Sequence, residues 1–494
     1  MTFQRYNARQ AAVFAICAIS LFGIWYHQLF SVVPQSLKPT AETSNSAFAS
    51  HHSTPLTTTP VADLSSARAP FVSWPLRRVC AEQVGSGSLV PGLVFLCDDN
   101  SGGPGNIRNY ILTCLRYAID AGATGLQIPR IRARSASDKA DLFKEHEPFG
   151  YMFSEAHFRA AMRDACPHIS LFAAAADDDD DHAGGLGAIP GVAAKAARER
   201  LPPERMVRRI TPKTFGGSRA GCDNRDPNRH TDRFGSAFRE WMRETAEGLG
   251  QAPVSWDNPA LVRLSWGVLW DWLVVRDGPE FAATFGGLLR IREDILELAD
   301  GVVRSMRQLA ASGAESGDGV VGSGSGRGGA DGLFLGVHLR TEEDALSQWP
   351  TYENQSKGYL HKAEKQGFLG GVAYLASGSE KETRRFAEDA RARLNLSVRS
   401  KYDLVHGKNL DKLKSLSWDQ QALVDFAVLL ESDYFVGVSP SSFSINVALK
   451  RHLRKEGLYT RPWKVGASDK ISWLVGRYFS YWDDWLFMFD GMWP

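Results

Sequence analysis

The chain lacks the simplest signals of several common functions. Its 57 basic and 56 acidic residues leave a formal net charge of +1, so overall charge gives no indication of nucleic-acid binding. Only six of its 494 residues are cysteines, and none has CxxC spacing, which argues against a zinc site. The chain does have length and apolar content. Its residues are 44% hydrophobic, enough to bury the cores of two domains.

Charged residues are also missing from the stretch between Gln10 and Leu37. Within it, residues 11–33 are largely apolar, a length that suits a membrane-spanning helix. Arg5 and Arg9 precede this run. The positive-inside tendency therefore predicts that residues 1–10 form a cytoplasmic tail and that the remainder is luminal. A signal peptide that is removed by cleavage is the alternative.

Residues 34–90 are predicted to form an extended stem, because Gln35–Ala69 is rich in Ser, Thr, Pro and Ala and cannot bury a core. Anchor, stem and folded body together are the layout of a single-pass type II membrane protein of the Golgi or endoplasmic reticulum. Beyond the anchor the cysteines allow two disulfides with one cysteine left over, and the sequence does not determine the pairing. These cysteines are Cys80, Cys97, Cys114, Cys166 and Cys222.

The first folded domain is predicted over residues 91–310. A short apolar strand at Leu93–Cys97 precedes the glycine-rich loop Asp98–Gly105, and apolar residues at helical spacing follow. Strand, glycine-rich loop and helix form the opening of a Rossmann-like unit, in which Asn106 and Arg108 would reach a phosphate or a sugar. The loop has neither the spacing of a dinucleotide fingerprint nor that of a Walker loop.

An insertion over residues 173–205 interrupts this domain. It contains five consecutive aspartates, Asp177–Asp181. We interpret this run as a solvated loop rather than a metal site, because catalytic metal ligands need a rigid position that the surrounding alanines and glycines do not provide. Residues 311–332 are rich in Gly and Ser, which predicts a linker between domains.

The second domain is predicted over residues 333–494, where strand and helix patterns alternate. Repeated strand-then-helix units predict a parallel sheet with helices on both faces. The aromatic tail from Ile471 onward is expected to pack back across a domain. The strands are expected at Leu333–Leu339, Gly371–Ala376, near Tyr402–Val405 and at Tyr434–Val438.

Ionisable side chains follow the first strand of this domain, within Gly332–Ala345. His338, Arg340, Glu342 and Asp344 lie at or just beyond the end of the strand. Open α/β sheets bind ligands at the carboxyl ends of their strands. Arg340 also has the planar guanidinium that binds a phosphate through two hydrogen bonds. A strand end with a surface salt bridge is the alternative.

A cluster of serines follows the strand at Tyr434–Val438. Four of them, Ser439, Ser441, Ser442 and Ser444, lie where a helix begins. Backbone N–H groups, a serine cap and the helix dipole together form an anion site. A plain helix cap is the alternative, but it needs only one serine.

Three stretches resemble one family, the GDP-fucose protein O-fucosyltransferases. HLRTEED matches the family's HxR-x-E-x-D pattern, FVGVSPSSFS resembles its C-terminal FxG…SSF[ST] segment, and SGGPGNIRN at Ser101–Asn109 is similar to its glycine-rich loop. The three occur in the family's order. The resemblance implies two Rossmann-like α/β domains facing a cleft, of the glycosyltransferase-B type. It also implies inverting, metal-independent transfer of fucose from GDP-fucose to a Ser or Thr hydroxyl of a protein, without a cofactor.

The resemblance also implies roles for single residues. Arg340 would hold the diphosphate and, with Asn106, support catalysis, and His338 would help to order the nucleotide. Glu342 and Asp344 would orient Arg340 or the base. The other residues expected to bind the donor are Gly105, Arg108, Ser439, Ser441, Ser442 and Phe443.

The general base stays open at this point. Some relatives place a glutamate beside the glycine-rich loop, where this sequence has Gly or Pro, so Asp98 and Asp99 are the candidates. Two other functions also stay open: fucose transfer to a glycan acceptor, and binding of a nucleotide sugar in the Golgi without catalysis. Acceptor-recognition loops have no readable pattern that would separate these alternatives.

Overall fold

The computed structural model describes residues 63–135, 146–173, 206–210, 234–248, 250, 252–315, 332–342, 349–454 and 470–494. The predicted membrane anchor, most of the predicted stem, the run Asp177–Asp181 and Asp344 lie outside these ranges. No helix within the ranges has the length and apolarity needed to cross a membrane.

The first half of the described chain contains a five-stranded sheet with the strand order β5-β2-β1-β7-β6. All its pairings are parallel, as expected for strands joined by crossover helices. A separate antiparallel pair, β3–β4, follows β2. The strands are β1 (Val90–Leu96), β2 (Ala123–Gln127), β3 (Ile131–Arg132), β4 (His146–Glu147), β5 (Ser170–Phe172), β6 (Met206–Ile210) and β7 (Ala260–Leu264).

Helices α1 to α6 accompany this sheet. The second of them, α2, has Pro104 at its first position and ends at Gly122, whose φ of 80° is the left-handed conformation common after a helix. Nearly every residue of α2 is buried, so this helix lies inside the protein. The helices are α1 (Trp74–Gly85), α2 (Pro104–Ala121), α3 (Glu155–Ala165), α4 (Phe234–Gly248), α5 (Pro279–Thr284) and α6 (Glu293–Glu315).

A second five-stranded parallel sheet has the order β10-β9-β8-β11-β12. Its strands are β8 (Phe334–His338), β9 (Val372–Ala376), β10 (Ser397–Arg399), β11 (Tyr434–Val438) and β12 (Ser472–Val475). The helices that follow α6 are α7 (Tyr352–Lys365), α8 (Glu380–Leu394), α9 (Lys401–Leu404), α10 (Lys408–Ser415), α11 (Trp418–Leu430), α12 (Ser442–His452) and α13 (Phe487–Asp490).

Both faces of the second sheet are covered. Leu335 and Val337 pack into one hydrophobic cluster, whereas Phe334 and Tyr374, which point the other way, pack into another. A parallel sheet buried on both sides is the expected consequence of β-α repeats. The prediction of an α/β fold built on parallel sheets is therefore confirmed. The strand expected near Tyr402–Val405 is wrong, because Lys401–Leu404 is a short helix.

The folded part begins before residue 91, so the predicted start of the first domain is too late. Leu76 and Val79 of α1 are buried in the core. Upstream of α1, the Arg68 guanidinium forms ion pairs with Glu293 and Asp300 of α6, at 2.6 and 2.8 Å. The predicted stem, residues 34–90, therefore includes a helix, α1, that is packed into the folded part.

Two disulfides are present among the described residues, Cys80–Cys166 and Cys97–Cys114, and Cys222 lies outside these residues. The first joins α1 to the end of α3. The second joins the residue after β1 to the middle of α2, and it thereby closes the loop between them at its base. A cross-link of this kind reduces the conformational freedom of the loop in the unfolded chain.

Candidate functional site

The glycine-rich loop and the serine cluster are in direct backbone contact. A Cβ atom placed on Gly105 would lie 3.0 Å from the carbonyl carbon of Ser442 and 3.1 Å from the nitrogen of Phe443. Gly105 is the second residue of α2 and Ser442 is the first of α12. The two helix N-termini therefore meet, which brings their positive dipole ends together.

His338 connects the end of β8 to the serine cluster. Its Nδ1 atom shares a 2.7 Å hydrogen bond with the hydroxyl of Ser444, which also accepts a 3.1 Å bond from the N–H of Val438. The imidazole lies 4.5 Å, between ring centroids, from the ring of Phe443. The three stretches that resemble the family are thus brought together around His338, Phe443 and Gly105.

Ser444 is the serine whose role sequence reasoning missed. It lies within the predicted serine cluster. The only sequence signal for its contact with His338 is that it follows β11 closely enough for its side chain to return to the end of that strand.

The imidazole of His338 is neutral at physiological pH. Burial lowers its pKa from 6.5 to about 4, while the nearby Glu342 raises the pKa and Arg340 lowers it further. A neutral ring hydrogen-bonds through one donor and one acceptor nitrogen rather than acting as a cation. His338 is therefore suited to orienting neighbouring groups, and charge at this site comes from other residues.

The depressed pKa of His338 makes a pH dependence measurable. Because unfolding restores the ordinary pKa, the free energy of unfolding is highest above about pH 6.5 and decreases as the pH falls toward 4. We expect His338 alone to lower the free energy of unfolding by about 2 kcal/mol between pH 7 and pH 5. Urea titrations of wild type, His338→Asn and the exposed-residue control His361→Asn test this. Identical pH slopes in all three proteins would contradict the burial argument.

Arg340 is held by the carboxylate of Glu342, which is itself fixed by hydrogen bonds. Its guanidinium forms an ion pair with Glu342, whose carboxylate also accepts the N–H groups of Gly378 at 2.7 Å and Thr341 at 3.1 Å. Burial alone would raise the pKa of Glu342, but the Arg340 guanidinium, together with His338 and a backbone hydrogen bond, outweighs it and holds the pKa below its ordinary value. The backbone of Arg340 is fixed on both sides by the side-chain amide of Gln355. Glu342 therefore has the geometry of a residue that orients Arg340.

The remaining serines surround the start of α12. Ser441 caps the helix by accepting a 3.5 Å bond from the N–H of Ser444. Ser439 is buried, and its N–H donates to the carbonyl of Val475 at 2.8 Å. Ser442, the first helical residue, is partly exposed. One serine thus performs the cap, and Ser442 is the one whose position leaves it accessible.

The two polar residues predicted on α2 differ in their surroundings. Asn106 is partly exposed as a residue, but its Oδ1 atom is itself buried and has no hydrogen-bond partner among the described residues. Arg108, two residues further along, is buried and donates to the carbonyl oxygens of Trp493 and Pro494, both at 2.6 Å. The structure therefore places the guanidinium of Arg108 against the tail of the chain, a contact that local sequence could not reveal.

Both candidate general bases, Asp98 and Asp99, already accept hydrogen bonds. Both carboxylate oxygens of Asp98 accept from Arg263, at 2.6 and 2.8 Å. Asp99 accepts the N–H of Trp266 at 3.0 Å. Because both carboxylate oxygens of Asp98 are already hydrogen-bonded to a guanidinium, neither is available to an acceptor hydroxyl, so Asp98 is the poorer candidate. Among the described residues, no group of three or more His, Cys, Asp or Glu is arranged to hold a metal ion.

Comparison with known proteins gives a family match. Residues 93–454 match the family model described as GDP-fucose protein O-fucosyltransferase, which is well over half of the chain. No curated protein matches the sequence.

Three solved structures are among those that the chain matches. The apo form of POFUT1 is 15% identical, with 73% of this chain and 94% of that chain covered and a TM-score of 0.37. A mutant of Arabidopsis thaliana FUT1 in complex with GDP is 9% identical, with coverage of 76% and 71% and a TM-score of 0.33. The fucosyltransferase NodZ from Bradyrhizobium is 13% identical, with coverage of 73% and 92% and a TM-score of 0.34.

Proposed function

The chain belongs to the GDP-fucose protein O-fucosyltransferase family, and we propose that it transfers fucose from GDP-fucose to a Ser or Thr hydroxyl of a protein acceptor. The observation that supports this most is the meeting of the three motifs. Gly105 contacts the backbone of Ser442 and Phe443, and His338 is hydrogen-bonded to Ser444 of the same helix. Residues far apart in sequence thus lie close together at the strand ends.

The proposed donor site lies between the carboxyl edges of the two sheets. The N-termini of α2 and α12 supply N–H groups and positive dipole ends for the diphosphate, and Arg340 supplies a guanidinium. Positive groups fixed in advance stabilise the charge that develops on the leaving diphosphate when the glycosidic bond breaks. A site of this composition performs that task without a metal ion or a cofactor.

Inversion at the anomeric carbon determines how the acceptor hydroxyl must approach. An acceptor hydroxyl attacks the anomeric carbon from the face opposite the diphosphate, and its proton must pass to a base. Asn106 is placed at the loop with an amide oxygen that has no hydrogen-bond partner among the described residues. This suits it to orient the hydroxyl, since an amide is not basic enough to take the proton. Asp99 is the better of the two carboxylates for that role, because its contact is with a single backbone N–H.

A second candidate function is nucleotide-sugar binding without catalysis. The observation that favours it is the pairing of Asp98 with Arg263, together with the absence of a glutamate from the glycine-rich loop Asp98–Gly105. Such a protein would retain the donor site and lack turnover. A fucosyltransferase that acts on a glycan is the other alternative for the acceptor.

We also propose that the folded body is luminal, in a single-pass type II protein of the Golgi or endoplasmic reticulum. The uncharged stretch of residues 11–33 supports the anchor. The two disulfides support an oxidising compartment, because such bonds are rare in the cytosol.

Turnover of the donor by the full-length protein in detergent tests the proposed function. We expect GDP-fucose to be hydrolysed slowly, or its fucose to be transferred to added protein, and GDP-mannose to be inert. EDTA should not inhibit. GDP binding without release of fucose under any condition would support the silent alternative. Failure to bind GDP would contradict both.

A further inference from the structure

A chain of aromatic side chains joins the loop after β7 to the tail after β12. Trp266 contacts Trp270, which contacts Phe487, at ring-centroid distances of 6.3 and 6.0 Å. Phe487 in turn contacts Trp482 and Trp485, at 5.1 and 5.8 Å. The tail therefore packs firmly from the end of the second sheet onto residues at the end of the first.

Phe479 stands out from this packed segment. Its side chain is 91% exposed, whereas the next most exposed large apolar residue among those described, Leu369, is 57% exposed. A single exposed apolar residue is ordinary by itself, but this one is held in place. The buried carboxylate of Asp484 accepts the N–H groups of both Phe479 and Ser480, each at 2.9 Å, and pairs with Arg477 at 3.0 Å.

The turn that carries Phe479 adjoins the proposed donor site. It follows the carboxyl end of β12, which pairs in parallel with β11. At its start, a Cβ atom on Gly476 would lie 2.5 Å from the Cβ of Ser439. Three residues of chain reach no further than about 10 Å, so Phe479 lies at the same edge as Ser439 and within the reach of a bound macromolecular acceptor.

The chemistry around Phe479 favours a polypeptide over a sugar. Nearby hydroxyls are already donating: Ser480 to Asp483 at 3.0 Å, Tyr481 to Asp490 at 2.7 Å. A sugar would need such groups for its own hydroxyls. An apolar side chain needs only the ring. Arg477 pairs with Asp484 through its Nε atom, but its side chain is 73% exposed, so the rest of the guanidinium can bind a carboxylate. Aromatic residues and arginine are also the common anchors of protein interfaces.

We propose that Phe479 and Arg477 form a polypeptide-binding surface that recognises an apolar side chain next to an acidic one. This proposal rests on the proposed function in one respect, that the bound polypeptide is the fucose acceptor. The aromatic chain behind the turn holds the surface at a fixed position beside the donor site. Phe479 is therefore expected to determine which polypeptides are accepted, without touching the donor.

A phage-displayed library of random peptides, each with one fixed serine, provides the probe. It is panned on the full-length protein with GDP present, and selected peptides are synthesised for affinity measurements. We expect them to combine apolar and acidic residues, and Phe479→Ala to weaken their binding at least ~10-fold, as truncation of an interface anchor does. Leu369→Ala, at an exposed apolar residue before β9, is the matched control and should bind as wild type does. Both variants should keep wild-type GDP affinity.

The outcomes distinguish a failure of the proposed peptide-binding surface from a failure of the proposed function. Equal peptide affinity in wild type and Phe479→Ala, or a library that yields no binding peptide, overturns the surface. A glycan array in which binding depends on Phe479 overturns the assignment to polypeptides. Fucose incorporation into the selected peptides is measured separately. Peptides that bind through Phe479 but receive no fucose support the surface and contradict the proposed transfer to protein.

Discussion

Replacing Arg340 with lysine is expected to lower GDP-fucose turnover by about 10²–10³-fold and to weaken GDP binding, with little change in the free energy of unfolding. Lysine retains the charge but lacks the planar fork that holds a phosphate through two hydrogen bonds. One such contact contributes about 2–4 kcal/mol to the transition state. Glu342 fixes the guanidinium of Arg340 through an ion pair, so the contact depends on orientation as well as charge.

The alternative is that Arg340 serves only this ion pair. In that case lysine would be tolerated, because it keeps a positive charge opposite Glu342 in this largely buried pair, whose side chains are 14% and 15% exposed. Arg385→Lys is the matched control. Arg385 pairs with Glu353 at 3.0 Å and lies 3.8 Å from the ring of Tyr352, on a helix with no predicted role in donor binding. Thermal unfolding, GDP affinity and turnover are compared for wild type, Arg340→Lys, Arg340→Ala and Arg385→Lys. Normal GDP binding by Arg340→Lys and Arg340→Ala alike would remove the main support for the donor site.

Elements defined by short-range pattern are predictable from the sequence. The strand predicted at Tyr434–Val438 has the same bounds in the structure. The first strand of the second domain, predicted at Leu333–Leu339, is Phe334–His338. In both, a run of apolar residues ends in polar ones, and that pattern depends on neighbouring residues alone. Local pattern is therefore enough to place the motif residues at the correct strand ends.

Features that depend on distant parts of the chain are not predictable in this way. Lys401–Leu404 is a helix rather than a strand, and the buried ammonium of Lys401 pairs with Asp425 of α11 at 2.6 Å. Arg108 is predicted to face the donor, yet its guanidinium is bound by the carbonyls of Trp493 and Pro494. No local pattern encodes such a partner, which lies 24 residues away for Lys401 and 385 residues away for Arg108. The same reason explains why sequence reasoning misses the pairing of Asp98 with Arg263.

Gly105→Ala is expected to lower GDP affinity about 10²-fold. Its Cβ atom would lie 3.0 Å from the carbonyl carbon of Ser442 and 3.1 Å from the nitrogen of Phe443. Both are backbone atoms, so the start of α12 must move away from α2. Overpacking of this kind costs up to about 3 kcal/mol, which corresponds to about 10²-fold in affinity. The displacement would also shift Phe443 against His338.

Gly103→Ala is the matched control for this substitution. Gly103 lies in the same loop, has ordinary backbone angles (φ −78°, ψ 173°) and has no described atom within 4 Å of the position that a Cβ would take. Stability is a poor measure here, because alanine at residue 105 also gains about 1 kcal/mol of helix propensity. Calorimetric titration with GDP is therefore the measurement. If both variants bind GDP as wild type does, close approach of the two helices is not required for the donor site. If only Gly105→Ala loses affinity, the contact between the glycine-rich loop and the serine cluster is what positions the diphosphate.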